Sequence, residues 1–150
     1  MLPAQHRDVM AAQTLPSFEF VSVRHGTEVV HRIVATGPIF LKQRLPVYEA
    51  TLAVNPSSTY FCILDNSAGH ENNLSFADIL LLTQKLIDGG IECIYGATVT
   101  ADPGYPAFVD LMSANHSARN MKGELLATND LETAEAFIAE KLRLVAAGEG

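Results

Sequence analysis

From Phe18 the chain alternates apolar and polar positions, with Phe18, Phe20 and Ser22 on one face and Glu19, Val21 and Val23 on the other. A second β-rich run extends from Val29 to Ala35, and His25-Gly26-Thr27-Glu28 between them predicts a β-hairpin closed by Gly37-Pro38. Pro38 suits a first helical position. Apolar residues follow at Ile39, Leu41, Leu45, Tyr48, Leu52 and Val54, and Pro46 among them predicts a kinked or divided helix ending near Asn55-Pro56. Thr59 to Leu64 is short, aromatic and β-branched with almost no polar interruption, which predicts a central strand buried on both faces and ending at Asp65.

After the polar loop Asp65 to Asn73, Ser75 with Asp78 three residues later predicts a helix N-cap, and Leu74 and Ile79 are placed to pack across it. Phe76, Ile79, Leu80, Thr83, Leu86 and Ile87 form the expected inward stripe, and Gly89-Gly90 stops the helix. Ile91 to Thr100 predicts another apolar strand. Pro106 opens a helix with Phe108, Leu111, Met112 and Asn115 on one face, running out near Asn120. A short strand at Glu124 to Ala127 precedes a last helix, with Asn129 and Glu132 as its capping box and Leu131, Ala134, Ile138, Leu142 and Val145 recurring at helical spacing. The weak periodicity of residues 1–16, with Pro3 and Pro16, predicts a mobile arm or one short helix. The expected organisation is an arm over residues 1–17 and a single α/β domain over 18–150. That domain has a mixed sheet of about five strands, its later strands parallel, and about four helices.

Composition narrows the function classes. The net charge is −7 and the ten Lys and Arg residues form no run, which disfavours nucleic acid and anionic membrane surfaces. No apolar stretch approaches the roughly 20 residues of a spanning helix, so no membrane insertion is expected. Residues 1–13 do not read as a secretory signal, and a cytoplasmic location is the expectation. Cys62 and Cys93 sit inside apolar runs and read as inert core thiols.

The strand ending in ILDNS, the capped helix LSFADILLLTQKL and the closing ATNDLETAEAFIAEKL together resemble the STAS-type domain of anti-sigma-factor antagonists. They also resemble the SpoIIAA-like proteins grouped with the lipid-binding CRAL-TRIO fold. The resemblance spans about residues 18–146 and is one of layout. It implies a phosphorylatable serine where the loop after the central strand enters its helix. Ser75 in NNLSFAD occupies that place, without the Asp before it and the Gly after it, and a plain N-cap also explains its position.

Ligands of open α/β sheets gather outside the carboxyl ends of the parallel strands. Here those ends would bring together Asp65, Asn66 and Ser67, then Thr100 and Asp102, then Thr128, Asn129 and Asp130. Candidate ligand-binding residues are Asp65, Ser67, His70, Thr100, Asp102 and Tyr105, with Ser75 the candidate phosphosite. A receiver-type phospho-acceptor at Asp65 would need an acidic pair after the first strand and a Lys after the last, and neither is present. His70-Glu71 lacks the spacing of a helical metal pair and no C-x-x-C occurs, so no metal or other cofactor is expected. His25 and His31 read as hairpin surface residues and His116 as lying on an exposed helical face. There is no G-x-S-x-G elbow and no Gly-rich phosphate cradle, so no catalytic residue is assigned.

The leading expectation is a non-catalytic regulatory or protein-interaction module of STAS-like type. The alternatives are a carrier of a small apolar ligand or lipid, prompted by the fold's relatives and by Tyr105 beside Phe108, and a hydrolase or isomerase with its site at the strand ends. A protein partner or a homodimer is expected, because the hairpin leaves a strand edge.

Overall fold

The structure, a computed structural model, describes residues 8–148. Six strands form one sheet in the order β1 to β6: β1 (Val9–Leu15), β2 (Phe18–His25), β3 (Glu28–Ala35), β4 (Thr59–Asp65), β5 (Cys93–Val99) and β6 (Lys122–Thr128). Four helices accompany it among the described residues: α1 (Leu41–Leu52), α2 (Phe76–Asp88), α3 (Tyr105–Ala118) and α4 (Leu131–Ala146). β1, β2 and β3 pair antiparallel; β3 to β6 are parallel.

The mixed α/β architecture is the expected one, with one strand more than anticipated. Residues 9–15, read as part of an arm or short helix, are the edge strand β1, joined to β2 by a two-residue turn at Pro16 and Ser17. Ser17 takes the left-handed conformation (φ 67°) that the second position of a turn opened by proline can require. Most of β1 is solvent-exposed, so it carries no alternating burial signal. Residues 1–7 lie outside the described residues.

Because the strands follow one another across the sheet without reversal, all three parallel crossovers run in the same direction. Crossovers of one hand then stack α1, α2 and α3 on the same face. That face holds the larger core, built on Phe18, Phe20, Ile33, Tyr60, Leu64, Leu86 and Ile94. After the last strand α4 folds onto the opposite face, where Ala134 and Ile138 pack against Val30, Phe61, Ile63, Tyr95 and Val99. α4 contacts β4, β5 and β6, while Val21 and Val34 of the antiparallel ribbon stay exposed on that face.

Helix phases differ from the expected ones in instructive ways. α1 is one helix running through Pro46. It begins at Leu41 rather than Pro38, and its buried stripe is Arg44, Val47, Tyr48 and Thr51. In α2 the Ser75 capping box forms as expected, but the buried residues are Ile79, Leu82, Thr83 and Leu86, with Phe76 and Leu80 facing solvent. α3 buries Tyr105, Val109, Asn115 and His116 and exposes Leu111. The α4 cap is Asp130, whose carboxylate accepts from the amides of Glu132 (3.3 Å) and Thr133 (3.1 Å), rather than Asn129.

Candidate functional site

The strand ends come first, because the sequence pointed there. Asp65 accepts from the amide (2.9 Å) and hydroxyl (2.6 Å) of Ser67. His70 is held by its main chain, donating its amide to Asn66 Oδ1 (2.9 Å) and accepting from Asn66 Nδ2 (2.8 Å) at its carbonyl. Thr100 Oγ1 accepts from the Asp102 amide (3.1 Å), and Asp102 Oδ1 accepts from the Gly104 amide (2.9 Å). Each carboxylate is thus occupied by its own loop backbone. Thr100, Asp102 and Asn129 do share an open crevice beyond β5 and β6, but Asp65, Ser67 and His70 do not line it. The strand-end rule applies to a switch point where strand order reverses, and this sheet has no reversal. Among the described residues no group of three or more His, Cys, Asp or Glu is arranged to hold a metal ion. Ser75 stands exposed at the head of α2, its hydroxyl accepting from the Asp78 amide (3.1 Å) while Asp78 accepts from the Ser75 amide (2.9 Å).

Tyr105 belongs to the first turn of α3, not to a loop, and turns inward. Its ring lies 5.3 Å from that of Phe108 and its hydroxyl donates to Thr98 Oγ1 at 3.5 Å. Burial pushes its phenol pKa up. It lines a narrow, partly open cavity of about 60 Å³ between the sheet and α1, α2 and α3. Gly96 at the middle of β5 forms part of the floor, and side chains from all three helices close the roof. This volume is several-fold below the roughly 300 Å³ at which drug-sized pockets begin.

The polar group in that cavity is Arg44, which the sequence reading passed over. The side chain projects from the buried stripe of α1, its guanidinium carbon 4.6 Å from the Tyr48 ring centroid and 5.8 Å from that of Phe18. Nη2 donates to Tyr48 Oη at 3.4 Å, and Nη1 has no partner. Burial works against the charge, but a guanidinium is basic enough to stay protonated even in the interior. The same burial pushes the Cys62 thiol up to about 11, consistent with an inert core cysteine. One sequence signal was available: Arg44 stands three, four and seven residues before Val47, Tyr48 and Thr51.

Two histidines also lie elsewhere than expected. His31 is fully buried rather than on the hairpin surface. Its Nε2 lies 2.9 Å from Asn55 Oδ1 and its Nδ1 2.7 Å from Ser22 Oγ, with the ring stacked 4.7 Å from Tyr60. Asn55 Oδ1 can only accept, which places the imidazole proton on Nε2 and makes Nδ1 the acceptor of the Ser22 hydroxyl. Burial lowers the His31 pKa to about 4. Ser22 is itself fully buried, so this Ser-His-Asn chain is a satisfied core network without an exposed nucleophile. His116, expected on an exposed face, is buried on α3, and burial lowers its pKa as well. His25 is exposed at the hairpin end, as expected.

The surface over α2 and α3 is the remaining feature. Asn115 Nδ2 donates to Thr83 Oγ1 (2.8 Å) and Arg119 hydrogen-bonds Gln84, which sets the two helices side by side and parallel. Leu80 and Leu111 stand one turn before Thr83 and Asn115 on the solvent side of this seam between the helices, with Phe76 one turn back from Leu80. Phe76, Leu80 and Leu111 are 52%, 37% and 41% exposed, and Leu81 beside them is 54% exposed.

Comparison with solved structures finds a similar fold in an uncharacterised protein of the DUF3478 family from Shewanella loihica PV-4, described as having a SpoIIAA-like fold. The TM-score is 0.53 at 15% identity, over 86% of this chain and 98% of that one. The fold is SpoIIAA-like. The STAS-like layout read from the sequence is therefore the one adopted, and at this identity the likeness speaks for the fold alone. No family model matches the chain, and no curated protein matches it. No helix among the described residues is long and apolar enough to cross a membrane.

Proposed function

We propose that this SpoIIAA-like chain is a non-catalytic regulatory or protein-interaction module that docks a protein partner, or a second copy of itself, through the outer faces of α2 and α3. The observation that carries the reading is the seam of Phe76, Leu80, Leu81 and Leu111, four large apolar side chains left in solvent on neighbouring helices. Contiguous exposed apolar surface rimmed by polar groups is the usual mark of a docking surface. Ser75 heads the same patch, so a phosphoryl group there would place negative charge at the edge of the contact. The local engagement of Asp65, Asp102 and Asp130 by their own loops favours this reading over strand-end catalysis.

The reading is tested by replacing Leu80 with a photo-cross-linking residue in the cell that makes the protein, with exposed Ala136 on α4 as the control position. Discrete adducts at Leu80 that are absent at Ala136 are expected. Equal, diffuse labelling at the two positions would count against it.

A further inference from the structure

A guanidinium in the interior normally faces a carboxylate, because a buried charge is tolerated when paired and fully hydrogen-bonded. The five ion pairs among the described residues engage Arg24, Arg32, Lys85, Lys141 and Arg143, and none engages Arg44. Arg44 is only 7% exposed, its Nη1 is unpartnered, and it lines the cavity beneath α1, α2 and α3. Tyr48 keeps its own O–H free to donate beside it. The other titratable groups lining it are phenols, a thiol and His116, whose pKa burial lowers; all stay neutral, so the cavity carries one positive charge without a counter-ion.

We propose that the cavity is a binding site for a short-chain monocarboxylate, its carboxylate on Arg44 and Tyr48 and its alkyl end toward Ile79, Leu82 and Val109. Charge balance asks for a monoanion. The planar fork of a guanidinium matches a carboxylate in two parallel hydrogen bonds, and the apolar walls on the far side favour an alkyl tail over an inorganic ion. Water could satisfy the free N–H but would leave the charge uncompensated. At roughly 10–15 Å³ per water-sized group, a cavity of about 60 Å³ accepts about four to six non-hydrogen atoms, the size of acetate to butyrate. Gly96 contributes to the space, since a Cβ there would lie 3.2 Å from Cys62 Sγ and from a Leu125 methyl. This site is independent of the docking seam on the opposite side of α2 and α3.

The test is thermal unfolding of the full chain in sodium acetate, propionate or butyrate against sodium chloride at equal ionic strength, with Arg44→Met and Arg44→Lys alongside. The expected result is a carboxylate-specific rise in Tm of about 2–4 °C or more in the wild type, absent in Arg44→Met. Nuclear Overhauser contacts from butyrate methyl protons to the Ile79 and Val109 side chains of the wild type locate the ligand even if a variant fails to fold. Equal shifts with chloride and carboxylates, equal shifts in Arg44→Met, or butyrate without contacts to these side chains would each overturn the proposal.

Discussion

His31 donates through Nε2 to Asn55 Oδ1 at 2.9 Å, tying the middle of β3 to the segment that follows α1. This bond and the Ser22 hydroxyl on Nδ1 satisfy a neutral imidazole, and protonating Nδ1 would place an imidazolium in a buried site that disfavours the charge. The consequence is a defined pH dependence. The folded state resists protonation until about pH 4, whereas an unfolded histidine titrates near 6.5. The unfolded state therefore binds more protons between these values, so stability is full above about pH 6.5 and falls as the pH is lowered toward 4. The difference corresponds to about 3 kcal/mol, and His116, also lowered by burial, acts in the same direction. Urea unfolding between pH 7.5 and 4.5 checks it: the slope of stability against pH should be markedly reduced in His31→Gln. An unchanged slope would remove His31 from the account.

Gly123 should be the least replaceable glycine. Its φ is +116°, and a Cβ there would meet the Ile94 carbonyl oxygen of β5 at 1.8 Å. Gly123→Ala must distort the β5–β6 ladder and is expected to cost about 3 kcal/mol or more. Gly26, left-handed in the hairpin turn but with open space around it, should cost about 1 kcal/mol when changed to Ala. Similar urea midpoints for the two variants would contradict this ordering.

The Ser75 cap offers a separate test. Ser75→Ala removes the acceptor of the Asp78 amide and should destabilise the protein by about 1 kcal/mol, whereas Ser75→Asp should retain most of the cap. Amide exchange at Asp78 would report the loss locally. A neutral Ser75→Ala would mean that the capping box contributes nothing to folding.

Much of the fold was legible because burial on both faces leaves an unmistakable record. Thr59 to Leu64 proved to be the interior of β4, flanked by parallel β3 and β5. The Ser75–Asp78 reciprocity was read correctly from spacing alone. β1 left no such record, because a strand exposed along most of its length has no apolar alternation to betray it. His31 could have been placed: Ser22 was read on the Phe18 and Phe20 face, and β3 alternation puts His31 in phase with Ile33 and Ala35. In α2 and α3, Ile79, Thr83, Leu86 and Asn115 are buried as expected, and the rest of the stripe was misplaced for another reason. Phe76, Leu80 and Leu111 are more apolar than a core-facing stripe requires, and they drew the expected inward face away from Leu82, Val109 and His116. The residues that blurred the helical period are the ones that form the exposed seam, which is where local rules are expected to yield to function.

The central claim is that this seam docks a protein. The most direct measurement is quantitative capture from an extract of the source cell, with wild type and a Leu80→Glu/Leu111→Glu double variant as baits of matched circular dichroism and urea midpoint. Sedimentation velocity of both purified chains accompanies it. The wild type should retain a partner, or its own copy, and the double variant should lose it by roughly tenfold or more. Identical capture profiles from two folded baits that both sediment as monomers would contradict the account.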